Sequence, residues 1–179
     1  RAERPAIYIG NHTSMLDAFT SIWLCPVGTA GVAKKEVLYY PFYGQIWALS
    51  GHLSIDRGNL DKAKHSLARL ADLVRRAHLH IWMWPEGTRS RDGRLLPFKK
   101  GVVHLALQTG LPIVPVITEG AHRAIPKSSL RVRRVPIRIR FLPAIDTSVW
   151  SMERVDEHVR QLHEAFVAAL PEDQRPLTA

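Results

Sequence analysis

Apolar and polar positions along this chain follow two periods. Short runs rich in β-branched residues occupy positions 6–9, 53–55, 79–84 and 113–117, each beside Gly, Pro or Asn, and such runs read as buried strands. Between the second and third of them, Leu60, Ala63, Leu67, Leu70, Val74 and Ala77 recur at spacings of three and four, with charges on the opposite face. That period predicts an amphipathic helix laid on one side of a sheet. A second helix is expected over positions 101–108, stopped by Gly110 and Pro112, and a third where Met152, Val155, Val159, Leu162 and Phe166 form one stripe. Positions 131–141 read as one or two further strands, with Pro136 marking an edge, a bulge or a break. Strands alternating with helices predict an α/β domain. With no repeat or linker to divide it, the domain is expected to span positions 1–170, followed by a flexible tail over 171–179 that contains Pro171 and Pro176.

Composition narrows the class without choosing a function. The 179 residues are 46% hydrophobic and 23% charged, as expected of a folded globular domain and unlike disordered or collagenous chains. Lys and Arg outnumber Asp and Glu by 25 to 16, so the surface should attract polyanions, phosphorylated ligands or anionic headgroups. Cys25 is the single cysteine, which excludes an intrachain disulfide. The longest uncharged run, positions 18–33, is broken by Pro26, Gly28 and Gly31 and falls short of the roughly 20 apolar residues of a membrane span. The chain opens at Arg1, without a methionine, and a preceding segment that targets or anchors it is expected.

The first strand runs into Asn11-His12-Thr13-Ser14-Met15-Leu16-Asp17. Positions five apart on a helix lie roughly 140° from each other, so His12 and Asp17 can meet only if His12 sits in the turn and the helix starts just after it. Such a pair gives one imidazole nitrogen a carboxylate partner and leaves the other to take a proton from a hydroxyl. Ser14-x-x-Asp17 is also a capping-box signature, and a cap would fix Asp17 where His12 needs it. A second cluster is Trp84-Pro85-Glu86-Gly87-Thr88-Arg89-Ser90, where a strand ends in a forced turn followed by hydroxyls and a cation. Open α/β sheets bind ligands at such strand ends, and an arginine there can hold a phosphate bidentately. Weaker signals are Gly51-His52-Leu53-Ser54-Ile55-Asp56-Arg57, Lys34-Lys35-Glu36, and Phe98-Lys99-Lys100-Gly101 ahead of a helix start.

In order and combination, the Asn-His-x-x-x-x-Asp block, the glycine block ending in Ile55-Asp56-Arg57, the Pro-Glu-Gly-Thr-Arg-Ser block and the apolar Leu111-Pro112-Ile113-Val114-Pro115-Val116 block resemble the four motifs of the 1-acyl-sn-glycerol-3-phosphate acyltransferase (PlsC-like) family. Met15-Leu16 fill its variable positions, and Trp84 stands where phenylalanine is common. The resemblance implies a mixed, mostly parallel sheet flanked by helices. It implies transfer of a fatty acyl group from acyl-CoA or acyl carrier protein to the sn-2 hydroxyl of 1-acyl-glycerol-3-phosphate, with His12 as general base, Asp17 as its partner and no acyl-enzyme. Arg57 and Arg89 would hold the acceptor phosphate, Glu86, Gly87 and Thr88 would bind substrate from their loop, with Glu86 also shaping it, and Lys35 and Lys100 would add positive potential. The thioester is a co-substrate, so no cofactor or metal is expected; His78-x-His80 lacks further ligands around it. The expected partners are the donor, the lysophospholipid acceptor and an anionic membrane on its cytoplasmic face, reached peripherally or through an N-terminal segment. Positions 37–43, Val-Leu-Tyr-Tyr-Pro-Phe-Tyr, are the candidate lipid-facing rim, with burial in the core as the alternative.

Within the enzyme class, glycerol 3-phosphate, another lysophospholipid or a lyso-aminolipid could be the acceptor. Outside it, Arg131, Arg133, Arg134, Arg138 and Arg140 suggest a basic module for nucleic acid or membranes. Their alternation with Ile137, Ile139 and Phe141 is equally that of a strand with one solvated face, and no nucleic-acid signature accompanies them.

Overall fold

The structure, a computed structural model, describes residues 4–55, 60–127 and 131–177. Among these residues six strands form one sheet in the order β3-β2-β4-β1-β5-β6: β1 (Ile7–Gly10), β2 (Thr29–Lys34), β3 (Leu53–Ile55), β4 (His80–Met83), β5 (Ile113–Glu119) and β6 (Arg138–Phe141). The first five run parallel, and only β6 pairs antiparallel, at the edge beside β5. The helices are α1 (Leu16–Leu24), α2 (Tyr43–Leu49), α3 (Leu60–Ala77), α4 (Gly101–Thr109), α5 (Ala121–Ala124) and α6 (Val155–Ala169).

The two-residue period divides the strands between two faces. Ile7, Ile9, Ile81, Met83, Ile113 and Ile117 meet Leu67, Leu70, Val74, Leu105, Leu162 and Phe166 in the main core, so α3, α4 and α6 cover this face. The connection from β1 to β2 passes β4 in one direction and that from β3 to β4 passes β2 in the other. With right-handed crossovers, α1 and α3 therefore lie on opposite faces. The α1 face is thinly covered: Tyr8, Trp82 and Val116 form a small cluster joined by Cys25 at the end of α1. The outer side of α1 leaves Phe19, Ile22 and Trp23 exposed.

The expected strands over 6–9, 53–55, 79–84 and 113–117 correspond to β1, β3, β4 and β5, and the three expected helices to α3, α4 and α6. Positions 131–141 yield only β6, after Pro136, and Phe141 is half-exposed where the alternation suggested burial. Strand β2 was not expected. Its residues Thr29-Ala-Gly-Val-Ala-Lys34 carry little β signal, and Gly31 is needed because a Cβ there would come within 2.8 Å of the Trp47 ring of α2. The tail expectation also needs correction. Residues 172–174 form a turn with Gln174 fully buried; its Oε1 accepts the Gly120 N–H at 2.9 Å, while its carbonyl accepts the Leu95 N–H at 2.9 Å.

Candidate active site

Strands β1, β2, β4 and β5 end along one edge of the sheet, and the candidate residues leave from those ends. Beyond β1, Asn11 is buried and continues the ladder with its side chain: Nδ2 donates to the Thr118 carbonyl and Oδ1 accepts the Thr118 N–H, both at 2.8 Å. This locks the turn that follows against β5. His12 sits in that turn, and α1 starts at Leu16 with Asp17 in its first turn, the geometry that the five-residue spacing requires. Asp17 Oδ2 accepts from His12 Nδ1 at 3.0 Å, from Thr13 N at 2.6 Å and from Ser14 N at 2.8 Å. The carboxylate is 3% exposed. A proton on Nδ1 facing this carboxylate leaves Nε2 with the free lone pair. The capping box is half formed: Asp17 reaches back to the Ser14 amide, whereas Ser14 Oγ accepts from Leu16 N at 3.2 Å and donates to the Ile125 carbonyl at 2.9 Å.

The Pro-Glu-Gly-Thr-Arg loop packs directly against His12. Trp84 stacks on the imidazole with centroids 4.4 Å apart and planes inclined by 16°. Gly87, at φ 73°, makes the turn that an L side chain would strain. Glu86 departs from the expectation of a substrate contact, because it is 2% exposed and points inward. Its Oε1 accepts the His12 N–H at 2.6 Å and its Oε2 the Leu96 N–H at 3.1 Å, so it holds the backbone of the base. Burial pushes its carboxyl up to about 8, against the lowering effect of those two amides. Ser90 N donates to the His12 carbonyl at 2.8 Å and Ser90 Oγ to Asp92 at 2.8 Å. Thr88 is exposed and Arg89 half-exposed.

The other candidates divide. Lys35 opens the single 3-10 turn after β2, on the same edge of the sheet and exposed; β4 lies between β2 and β1, so roughly 10 Å separates the two strand ends. Lys100 is not brought to the site, since its Nζ pairs with Asp156 of α6 at 2.7 Å on the other face. Arg57 lies outside the described residues. Burial pushes the Cys25 thiol up to about 12, which disfavours the thiolate that a nucleophile requires. Two residues that the motifs did not point to also border the site. His122 lies against Gly93, its pKa lowered by burial first and then by Arg123. Lys127 Nζ donates to the Arg89 carbonyl at 2.6 Å. Neither stands in a recognisable pattern; proximity to β5's carboxyl end was the only available signal.

A histidine–carboxylate pair at the strand ends of a mostly parallel sheet, beside a turn carrying an arginine with no ion-pair partner among the described residues, is an arrangement for activating a hydroxyl near an anion. The chain belongs to the Acyltransferase family, whose profile matches residues 1–119. It is 51% identical over 175 residues to the 1-acyl-sn-glycerol-3-phosphate acyltransferase of Limnanthes douglasii, covering 98% of this chain and 62% of that protein. The Escherichia coli K12 protein of the same name is 37% identical over 171 residues, covering 94% of this chain and 69% of its own length. Among solved structures, the LPA acyltransferase PlsC from Thermotoga maritima superposes with a TM-score of 0.76 at 25% identity, covering 94% of this chain and 66% of that one. This chain thus spans under two thirds of the plant protein and of that solved chain.

Proposed function

We propose that this chain transfers a fatty acyl group from acyl-CoA or acyl carrier protein to the sn-2 hydroxyl of 1-acyl-glycerol-3-phosphate, yielding phosphatidic acid. The observation that carries this reading is the 3.0 Å contact of His12 Nδ1 with Asp17, which presents Nε2 as the base, in a chain whose relatives bear that activity in their names. The acceptor hydroxyl gives its proton to His12 Nε2 as its oxygen attacks the thioester carbon. The tetrahedral intermediate collapses with C–S cleavage, and the leaving thiolate takes the proton from the imidazolium. General-base help supplies about 10²- to 10⁴-fold; positioning and oxyanion stabilisation supply the rest. Arg89 is the phosphate ligand among the described candidates, with Arg57 the second by resemblance. No step requires a metal or cofactor.

Exposed rings support a membrane-held acceptor. Tyr39, Tyr40 and Phe42 lie open around the turn after β2, with Phe42 79% exposed and its backbone at φ 62°. The core alternative for these rings does not match their exposure. No described helix is long and apolar enough to cross a membrane, and the reading places the protein peripherally or through a further segment, on the cytoplasmic face of an anionic bilayer. A nucleic-acid partner is not part of it: Arg138 and Arg140 both face Glu119, at 3.9 and 2.7 Å.

The test is release of free thiol from acyl-CoA and from acyl carrier protein against lysophosphatidate, glycerol 3-phosphate and other lysolipids. His12→Ala should abolish transfer while leaving the melting temperature near that of the parent. Near-normal turnover by that variant would refute the mechanism.

A further inference from the structure

Resting on the acyltransferase reading, we propose that Lys127 is a ligand for the acceptor's phosphate, acting beside Arg89. The chain after β5 turns at Gly120, forms α5 and returns across the site, where the Ser14 Oγ bond to the Ile125 carbonyl, at 2.9 Å, ties it to the turn that carries His12. Two residues later Lys127 reaches the Pro-Glu-Gly-Thr-Arg loop. Its Nζ donates to the Arg89 carbonyl at 2.6 Å and lies 3.5 Å from Thr88 Oγ1. The next residue along that loop, Ser90, donates its N–H to the His12 carbonyl, so the ammonium stands one residue from the backbone of the base.

The electrostatics of this corner are incomplete in a specific way. Among the described residues no carboxylate pairs with Lys127 or with Arg89. Asp17 is held by His12 and two backbone amides. Glu86 faces inward. Asp92, the acid nearest in the loop, accepts from Ser90 Oγ and from Arg94 N. Two cations brought to one loop without a described counter-charge make this corner electropositive, and a dianionic phosphomonoester is attracted to it. An ammonium has three donors; among the described residues only one is engaged at short range, on the Arg89 carbonyl, leaving others for phosphate oxygens. Thr88, exposed and with its Oγ1 3.5 Å from the ammonium, adds a hydroxyl. The site this describes takes a phosphomonoester on a short polyol, with its free hydroxyl toward His12 Nε2. The phosphate could instead belong to the coenzyme of the donor, and the experiment separates the two.

A short-chain, water-soluble 1-acyl-glycerol-3-phosphate and the matching 1-acyl-glycerol lacking the phosphate are compared as acceptors at fixed acyl-CoA. Lys127→Met keeps the aliphatic stem and removes the charge. It should raise the KM for the phosphorylated acceptor roughly 10- to 100-fold, the range for a lost charged hydrogen bond, and leave the neutral acceptor and the donor KM within about twofold. Lys127→Arg should restore most of the loss. Equal losses on both acceptors with a lowered melting temperature would make Lys127 a structural clamp on Arg89, and a change confined to the donor KM would assign it to the coenzyme; either overturns the proposal. Should Lys127→Met unfold, Lys127→Gln keeps a donor for the Arg89 carbonyl without the charge, and the same comparison decides. Glycerol 3-phosphate, unlike glycerol, should also raise the melting temperature of the parent protein, and less so that of the variant. That binding arm stands apart from turnover: a parent that binds glycerol 3-phosphate through Lys127 yet transfers no acyl group refutes the acyltransferase reading alone. A parent that transfers acyl groups with unchanged KM in Lys127→Met refutes only the Lys127 assignment.

Discussion

Replacing Glu86 with glutamine should make the protein less sensitive to alkaline pH while impairing the base it supports. The carboxylate uses both oxygens as acceptors, for His12 N at 2.6 Å and Leu96 N at 3.1 Å. It does so at 2% exposure, where burial raises the carboxyl from 4.5 to about 8. A carboxyl raised on folding binds its proton more tightly in the native state. Its contribution is therefore full below about pH 4.5 and is lost as pH climbs toward 8. At about 1.4 kcal/mol per pKa unit, the loss is on the order of 3 to 5 kcal/mol. Glutamine does not titrate. Its oxygen can accept from His12, but its NH2 then faces the Leu96 N–H, a donor against a donor, at a cost of about 1–3 kcal/mol. The protonated acid keeps an acceptor lone pair on its hydroxyl oxygen for Leu96, so at pH 5 the parent should be the more stable by about 1–3 kcal/mol. As pH rises to 9 the parent loses that advantage, and the difference should shift toward Glu86→Gln by a few kcal/mol. Urea unfolding of both proteins at pH 5, 7 and 9 measures this. A stability difference that is constant across pH, or a glutamine variant that weakens relative to the parent as pH rises, would refute the argument. In activity, the variant should lose kcat more than KM, because the donor–donor contact at Leu96 displaces the His12 backbone and not a ligand.

Asp17→Asn removes the charge that receives His12 Nδ1 and the Thr13 and Ser14 amides; it should lower kcat at least tenfold, less than His12→Ala, and lower stability by about 1–3 kcal/mol in denaturant titration. The pair Tyr39→Ser and Phe42→Ser should reduce vesicle cosedimentation and turnover of bilayer-held acceptor, while turnover of a soluble short-chain acceptor and the melting temperature stay near those of the parent, since both rings are exposed. Equal losses on both acceptors would remove these rings from the membrane account.

The elements that sequence periodicity revealed are those whose burial is one-sided or complete. Helix α3 shows its Leu67, Leu70 and Val74 stripe because it covers only one face of the sheet. Strands β1 and β4 show continuous apolar runs because every residue in them is buried. Strand β2 escapes notice for the opposite reason: Gly31 stands where the Trp47 ring of α2 approaches, and close packing there excludes the large β-branched residues that advertise a strand. The short helix α2 is equally silent. Gly44 is tolerated in it, and required, because a Cβ would fall 2.2 Å from the Leu38 carbonyl, and its Ile46 and Leu49 are exposed, so no apolar stripe points to a core.

The site was legible where spacing alone fixes geometry and illegible where direction matters. The five-residue spacing of His12 and Asp17 admits one arrangement, turn then helix, and that arrangement is present. Pro85 to Ser90 form a loop, and a loop's sequence does not say which side chains turn inward. Glu86 was expected at the substrate and instead holds the His12 amide from behind; Thr88, two residues on, is exposed. Lys100 looks equivalent to any cation before a helix until α6 places Asp156 2.7 Å from it. Lys127 has no motif, and only the return of the chain after β5, tied at Ile125 to Ser14, brings it to Arg89. A pairing between residues 38 apart in sequence is written in the topology of the sheet, in the Asn11 clasp on Thr118 that sets β1's turn beside β5's end. Charge at this site therefore has to be counted by strand end and not by motif. Counted that way, the carboxyl ends of β4 and β5 bring Arg89 and Lys127 to the corner beside the His12–Asp17 pair, the positive potential that the proposed phosphorylated acceptor would meet.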